Sequence, residues 1–531
     1  MTIESPDRAP RFFSIQIFAI IFTAIFLLHA PLLRLPFFWD EAGLYVPSTY
    51  DLITFHSLIP KTTMDSGHPP VSTAYLALWL TLSGWKPAVA RIAMLLLAAF
   101  ALTNVFLLAR RVASTGVAVA STIATALYPV FFVQSSLTHA DLAAAAFSLW
   151  GIRLGIERRL WPSQVAFTLA VLSKETAVLT PLAIALWELF LSSEAGSRTE
   201  KLRRTAVRLF PVLPLAAWIL YHHHVTGRFI GGAEFYEYNV TNAVTPIRVL
   251  LAFAIRIWHL LGYMNMLALT AAMAAAMWFP AVYDPHAQQE RQRIAIPIQL
   301  QFALIMLANL IGFSVVGGAL LTRYLLPLYP LVIIIGMSTL HRRVGRWEWP
   351  AALVVICFLL ALFFDPPYKI APEDNLAYKT FVELHANASL FLEQHEQGKT
   401  VLTAWPANDE LTRPYLGYVS KPLPVTTIKD FSLEQVLKAQ TVRTRYQVVL
   451  AFSTKYVQPV WIGSRAMENL SRRYLDYHTD VTPDVIANLL GAKIVFFEKK
   501  KAEWVAVLEI EEPGTTATRR QPRKGYGKLL K

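Results

Sequence analysis

The sequence predicts a polytopic α-helical membrane protein with about eleven transmembrane helices, followed by a soluble extracytoplasmic α/β domain. Three observations predict it. Of 531 residues, 55% are hydrophobic and 16% are charged, and mean hydropathy is +0.41, too apolar for a soluble chain of this length. Apolar runs alternate with short basic loops as far as Phe364. Past Asp365-Pro366-Pro367 the pattern becomes mixed and polar, as in an ordinary globular domain.

The first run, Phe12 to Leu33, is long enough to cross a bilayer, which takes about 20 apolar residues. It exceeds the roughly 7 to 15 residues of a signal-peptide core and no small-residue cleavage site follows, so it reads as a retained helix. Arg8 and Arg11 precede it, and the positive-inside rule puts them in the cytoplasm and the next loop outside. Basic clusters at Arg110-Arg111, Arg153 with Arg158-Arg159, Arg198 to Arg208, Arg291 with Arg293, and His341 to Arg346 must then be separated by even numbers of crossings. Apolar runs at 90–109, 114–133, 142–157, 160–173, 176–191, 206–221, 258–281, 297–316, 324–340 and 350–364 satisfy that parity. Val71 to Gly84 is too short to span and reads as a helix on or dipping into the outer face. Leu160 to Leu191 divides in two at Ser173-Lys174-Glu175, because one continuous helix would put successive basic clusters on opposite sides.

The transmembrane domain is thus expected over 1–365 and the soluble domain over 366–531. In the latter, Thr400–Trp405, Tyr446–Ser453, Lys493–Phe497 and Trp504–Ile510 read as strands, and Asn375–His395 as an amphipathic helix. The basic, Gly-containing tail Arg519–Lys531 reads as disordered. The net charge of +13 sits in the short loops and sets orientation, so no nucleic-acid partner is expected. Cys357, alone and within an apolar run, allows neither a disulfide framework nor a cysteine metal site.

Topology was placed by Lys and Arg clusters alone, yet the conspicuous acids and histidines fall in loops on one side. Asp40 and Glu41 follow the first helix directly. His68-Pro69-Pro70 is a rigid extended element, since each proline fixes its own φ and restricts its predecessor. His139 and Asp141 open a helix, where Asp141 also suits a cap. Lys174 breaks an apolar run near the outer edge of the hydrocarbon, within reach of a lipid phosphate, with Glu175 beside it. Arg323, followed by Tyr324, stands at the outer start of a helix and suits bidentate phosphate contact. Of His222-His223-His224, one residue at most could reach a given ion. Charged groups at this depth usually line a cavity or pathway.

Taken together, Trp39-Asp40-Glu41, His68-Pro69-Pro70, Asp141, Ser173-Lys174-Glu175 and Arg323-Tyr324-Leu325-Leu326-Pro327 resemble the dolichyl-phosphate-mannose protein mannosyltransferase family. The chain looks like a bacterial member of that superfamily, which includes the lipid A aminoarabinose transferase, and the resemblance covers about residues 12 to 345. It implies the GT-C membrane glycosyltransferase fold and a polyprenyl-phosphate sugar donor. Carried onto this chain, it implies Asp40 as the catalytic acid, with Glu41 beside it and Asp141 as a second acid of the site; the mechanism expected on that basis is an inverting transfer with Asp40 as general base. Lys174, Arg323, His68 and Tyr324 would meet the donor phosphate. No cofactor follows with certainty; Asp141, His139 and His222 are the residues of a type to hold a divalent metal. The acceptor would be lipid, glycan or protein. No segment between helices could hold the lumenal β-trefoil domain of protein mannosyltransferases, which weakens the case for protein, whereas an extracytoplasmic domain after the last helix occurs in the aminoarabinose transferase. The implied location is a bacterial inner membrane, with site and soluble domain facing the periplasm or exterior. The rival reading is a transporter or lipid flippase, but neither repeats nor midplane polar groups reachable from both sides are evident.

Overall fold

The computed structural model describes residues 11–192, 197–233, 245–285, 288–316, 318–368, 370–453, 470, 472–475 and 479–511. The tail Arg519–Lys531 lies outside them, as does part of the loop between His222 and Arg248. After α1 (Arg11–His29), a π-helical turn at Glu41–Tyr45 runs into α2 (Val46–Phe55). The short apolar helix α3 (Val71–Ser83) precedes α4 (Pro87–Val112), whose 26 residues begin with a proline where a missing N–H is harmless. Ser114 caps α5 (Thr115–Leu127) by accepting from the Val117 N–H, and extended Tyr128 separates it from α6 (Pro129–Gln134). A tight turn at Arg158 joins α7 (Ala140–Ile156) to α8 (Leu160–Ser173).

Extended Lys174 ends α8, and a 3-10 turn leads to α9 (Leu179–Leu186), so the segment divides at Lys174. Next come α10 (Arg198–Arg208) and α11 (Val212–Thr226), bent by 40°. Helices α12 (Pro246–Leu261) and α13 (Met266–Ala276) meet at a kink where Met264 and Asn265 take φ of 47° and 64°. A two-strand hairpin, β1 (Tyr283–Asp284) and β2 (Gln289–Glu290), precedes α14 (Ile296–Val316). The membrane part closes with α15 (Tyr329–Arg343) and α16 (Glu348–Phe363).

Among the described residues, four helices are long and apolar enough to cross a bilayer unaided: Phe13–Leu32, Pro87–Val112, Pro246–Ala276 and Ile296–Val316. The bent α10–α11 pair makes a fifth. The other expected runs are short or interrupted, at Tyr128-Pro129, at Lys174, and at the π-helical turn Trp187–Leu191. The run expected at 258–281 instead begins at Pro246, in a stretch whose arginines, Arg248 and Arg256, mask its helical character in hydropathy.

In the C-terminal part, α17 (Ala377–His395) packs on a five-stranded sheet of β3 (Val401–Ala404), β4 (Val425–Ile428), β5 (Val448–Phe452), β6 (Ala492–Lys500) and β7 (Glu503–Ile510). The order is β4-β3-β5-β7-β6. The first three strands are parallel, with Val401 opposite both Val425 and Val448; β7 runs antiparallel to β5, and β6 antiparallel to β7. Strands β3 and β5 are wholly buried, as expected of central strands covered on both faces. The helices α18 (Ala407–Thr412), α19 (Leu433–Gln440) and α20 (Pro483–Leu490) complete this part. Its hydrophobic core does not stop at the domain edge: one cluster joins Tyr378, Phe381, Leu402 and Phe452 to Phe37, Phe38, Ala42 and Val46 of the first loop.

Candidate active site

The paired carboxylates after the first helix have separate destinations. Trp39 takes the left-handed conformation, φ 41°, which turns Phe38 into the C-terminal core and presents Asp40 to the bundle. Glu41 is fully buried and accepts from the Phe38 N–H at 2.7 Å, the Thr138 N–H at 2.8 Å and the Arg91 guanidinium at 3.2 and 3.3 Å. Arg91, equally buried, also donates to the Pro36 and Ser136 carbonyls. Glu41, expected beside Asp40, thus has its oxygens committed to holding two loops together.

Asp40 instead accepts from Arg323 Nη2. Arg323 lies in the 3-10 turn Thr322–Leu325 and is itself ringed by carboxylates. Its Nη1 donates to Glu373 at 2.5 Å, and its Nε lies 3.3 Å from Asp141. Asp141, in the first turn of α7, takes a second cation, Lys174 Nζ at 2.6 Å. That ammonium stands 4.0 Å from the centre of the Tyr324 ring, a cation–π distance. His139 lies at the edge of the cluster, where its Nδ1–H donates to Gln134 Oε1 at 2.7 Å. Of the three carboxylates around Arg323, Asp40 has 18% of its side chain exposed, against 3% for Asp141 and 5% for Glu373. Asp40 is thus the most exposed of the three.

Glu373 follows the last membrane helix, in the turn Pro372–Asp374. Burial pushes its carboxyl up to about 8; Arg323 opposes that rise, and Asp40 and its other acidic neighbours add to it. Burial also raises Asp374, against the stabilising hydrogen bonds of Thr322 and Tyr263.

His68 faces Glu175 at 2.8 Å and lies parallel to the Tyr45 ring. With Asp65, Tyr45, Ser173, Trp218 and His222 it lines a small cleft. His222 is turned to Asp65, at 2.9 Å, and to the Arg228 carbonyl, at 2.7 Å. Among the described residues no three His, Cys, Asp or Glu side chains are grouped to hold a metal ion. The three metal candidates have separate partners: Asp141 is paired with two cations, His139 with Gln134 and His222 with Asp65.

Three residues of this region escape a reading of loops and motifs. Glu373 lies beyond the last helix, where composition alone reads as soluble domain. Arg91 and Arg256 sit inside helices, and a charge in an apolar helix is the signal that could have found them. Arg256 is fully buried on α12, donates through Nη2 to the Ala319 carbonyl at 3.2 Å, and stands 5.7 Å from the Tyr324 ring. Its Nε and Nη1 have no hydrogen-bond partner among the described residues. A buried guanidinium in that state is a strong attractor for an anion.

A multi-helix bundle with one charged cluster at one end, roofed by an α/β domain after the last helix, defines a membrane protein of the GT-C glycosyltransferase fold. Comparison with known proteins bears this out. ArnT from Cupriavidus metallidurans in the apo state superposes with a TM-score of 0.56 at 14% identity, over 93% of this chain and 98% of that one. The same protein bound to undecaprenyl phosphate gives 0.52 at 13% identity, over 94% and 98%. In sequence, residues 67–221 match the dolichyl-phosphate-mannose-protein mannosyltransferase family model, a stretch that contains His68, His139, Asp141 and Lys174. No curated protein matches the chain by sequence. The likeness to ArnT is one of fold, and the likeness to the mannosyltransferase family is one of the segment 67–221.

Proposed function

We propose that the protein transfers one sugar from a polyprenyl phosphate to a hydroxyl group at the extracytoplasmic face of a bacterial inner membrane, with inversion at the anomeric carbon. The observation that carries this reading is the sharing of Arg323 among Asp40, Asp141 and Glu373, with Lys174 and the under-satisfied Arg256 flanking Tyr324 alongside. ArnT has been solved with undecaprenyl phosphate bound, and this group of cations suits such a headgroup. The incoming phosphate competes with Asp40 for Arg323, which releases the Asp40 carboxylate toward the acceptor.

Asp40 then takes the proton of the acceptor hydroxyl as its oxygen attacks the anomeric carbon. The bond from that carbon to the phosphate oxygen breaks, and the bonding pair leaves on the phosphate. Charge accumulates there in the transition state, where fixed cations lower the barrier most. Lys174, Arg323 and Arg256 supply them. His68, held by Glu175 at the cleft wall, offers one further donor. The outward placement is supported by the helix ends: α7 opens with Asp141 and closes with Arg153, and α15 closes with His341, Arg342 and Arg343.

The test uses membranes expressing wild type or Asp40→Asn with radiolabelled polyprenyl-phosphate sugars, and separates labelled products into protein, lipid and glycan fractions. Transfer is expected with wild type and is lost in Asp40→Asn, while expression and donor binding are kept. Near-normal turnover in Asp40→Asn sinks the assignment, and the labelled fraction identifies the acceptor class.

A further inference from the structure

We propose that the C-terminal α/β domain is the positioning clamp of the catalytic loop, with Trp405 and Phe381 as the residues that hold Asp40 in place by gripping Trp39; this rests on the reading of Asp40 as the base. The loop cannot hold its shape unaided. A tryptophan at φ 41° occupies a conformation that persists only where the surroundings over-determine it. The Glu41–Arg91 pair holds the loop from the bundle side, and the rings around Trp39 itself come from the distant domain. Phe381 and Trp405 meet the Trp39 ring edge to face, at centroid distances of 5.3 and 5.4 Å. Phe38 is held in the same way by Phe381 at 5.3 Å and Tyr378 at 5.9 Å.

The backbone is gripped beside these rings. The Phe37 N–H donates to the Leu416 carbonyl at 3.2 Å, and the Tyr418 hydroxyl donates to the Phe37 carbonyl at 2.9 Å. On the other side of Asp40, the Trp405 indole lies flush on the turn at Gly43, where an added Cβ would come within 2.1 Å of its Nε1. Further along, Arg413 donates to the Thr62 carbonyl at 2.5 Å. The clamp is backed from behind: Phe381 stacks on buried His385 at 3.9 Å, and His385 pairs with buried Glu410 at 2.6 Å. Among the described residues, the ring contacts of Trp405 and Phe381 are with Trp39, Phe38, His385 and Phe452, so the clamp aims the base from the side away from the groups assigned to the phosphate.

The experiment compares Trp405→Ala, Gly43→Ala and Trp405→Phe with wild type in the full-length protein, measuring kcat, donor KM, and the rise in Tm produced by undecaprenyl phosphate. Misaiming a reactive group is expected to lower kcat in Trp405→Ala and Gly43→Ala by roughly ten- to a hundredfold. Donor KM and the lipid-phosphate Tm shift stay near wild type, and Trp405→Phe recovers most of kcat. Full kcat in both damaging variants, with Asp40→Asn inactive, overturns the clamp and leaves the function standing. Activity in Asp40→Asn removes the function and the clamp together. Loss of the Tm shift along with kcat in both Trp405→Ala and Gly43→Ala shows a contact that merely holds the fold, and also overturns the proposal.

Discussion

Arg323 distributes one positive charge over three carboxylates, and the protonation of Glu373 decides how tightly it is held. Below about 8 Glu373 is neutral, and above that it adds a full negative charge beside Arg323. Donor kcat/KM should therefore fall as pH rises through that value, and a pH–rate profile of Glu373→Gln should lack the alkaline limb. The sign for stability agrees: a carboxyl raised on folding contributes stability that is complete below its ordinary value and lost as pH rises through about 8. Arg256→Gln should raise donor KM roughly tenfold or more with little change in folding, since a hydrogen bond to a charged group is worth about 1.5 to 3 kcal/mol. An unchanged KM in donor titrations removes Arg256 from the phosphate site. Asp40, Lys174 and Arg323 were legible as charges beside apolar runs, whereas Glu373 was not, because only the folded chain brings a residue from beyond the last helix to Arg323.

Among the elements, the first loop owes its shape to the Glu41–Arg91 pair, which bridges it to the segment before α7. Removing one partner leaves a buried charge uncompensated, so Arg91→Met should destabilise by about 3 to 5 kcal/mol in thermal unfolding. Arg91→Met combined with Glu41→Leu should recover part of that loss. Most helices were readable from hydropathy because lipid demands long apolar faces, and the break at Lys174 was marked by its charge. The π-helical turn at Glu41–Tyr45 and α2 were not, since their residues are half polar and their burial comes from other elements. Strand β4 was missed for a related reason: it has four residues, lies at a sheet edge and follows Pro422 and Pro424.

For the whole molecule, the reading requires the first loop and the α/β domain on one side of the membrane and the α15–α16 turn on the other. Cys357 is the only cysteine, so in a Cys357→Ser background single cysteines report position cleanly. Lys61→Cys and Lys421→Cys, both at exposed residues, should react with an impermeant maleimide in intact cells. Gly345→Cys, also exposed, should react only after permeabilisation. Reversed labelling would place the site in the cytoplasm and end the extracytoplasmic assignment. Charge parity in the sequence anticipates this orientation, but pairing between ends of the chain has no local signature, and the junction of Trp39 with Trp405 came only from the fold.

That junction also sets a clock for biogenesis. Phe37 waits for Tyr418, 381 residues further along, which at about 5 to 20 residues per second is roughly 20 to 75 s of synthesis. Throughout that interval the first loop lacks its contacts with the α/β domain, so, on the proposed reading, a nascent chain stalled before residue 400 should be membrane-embedded yet inactive.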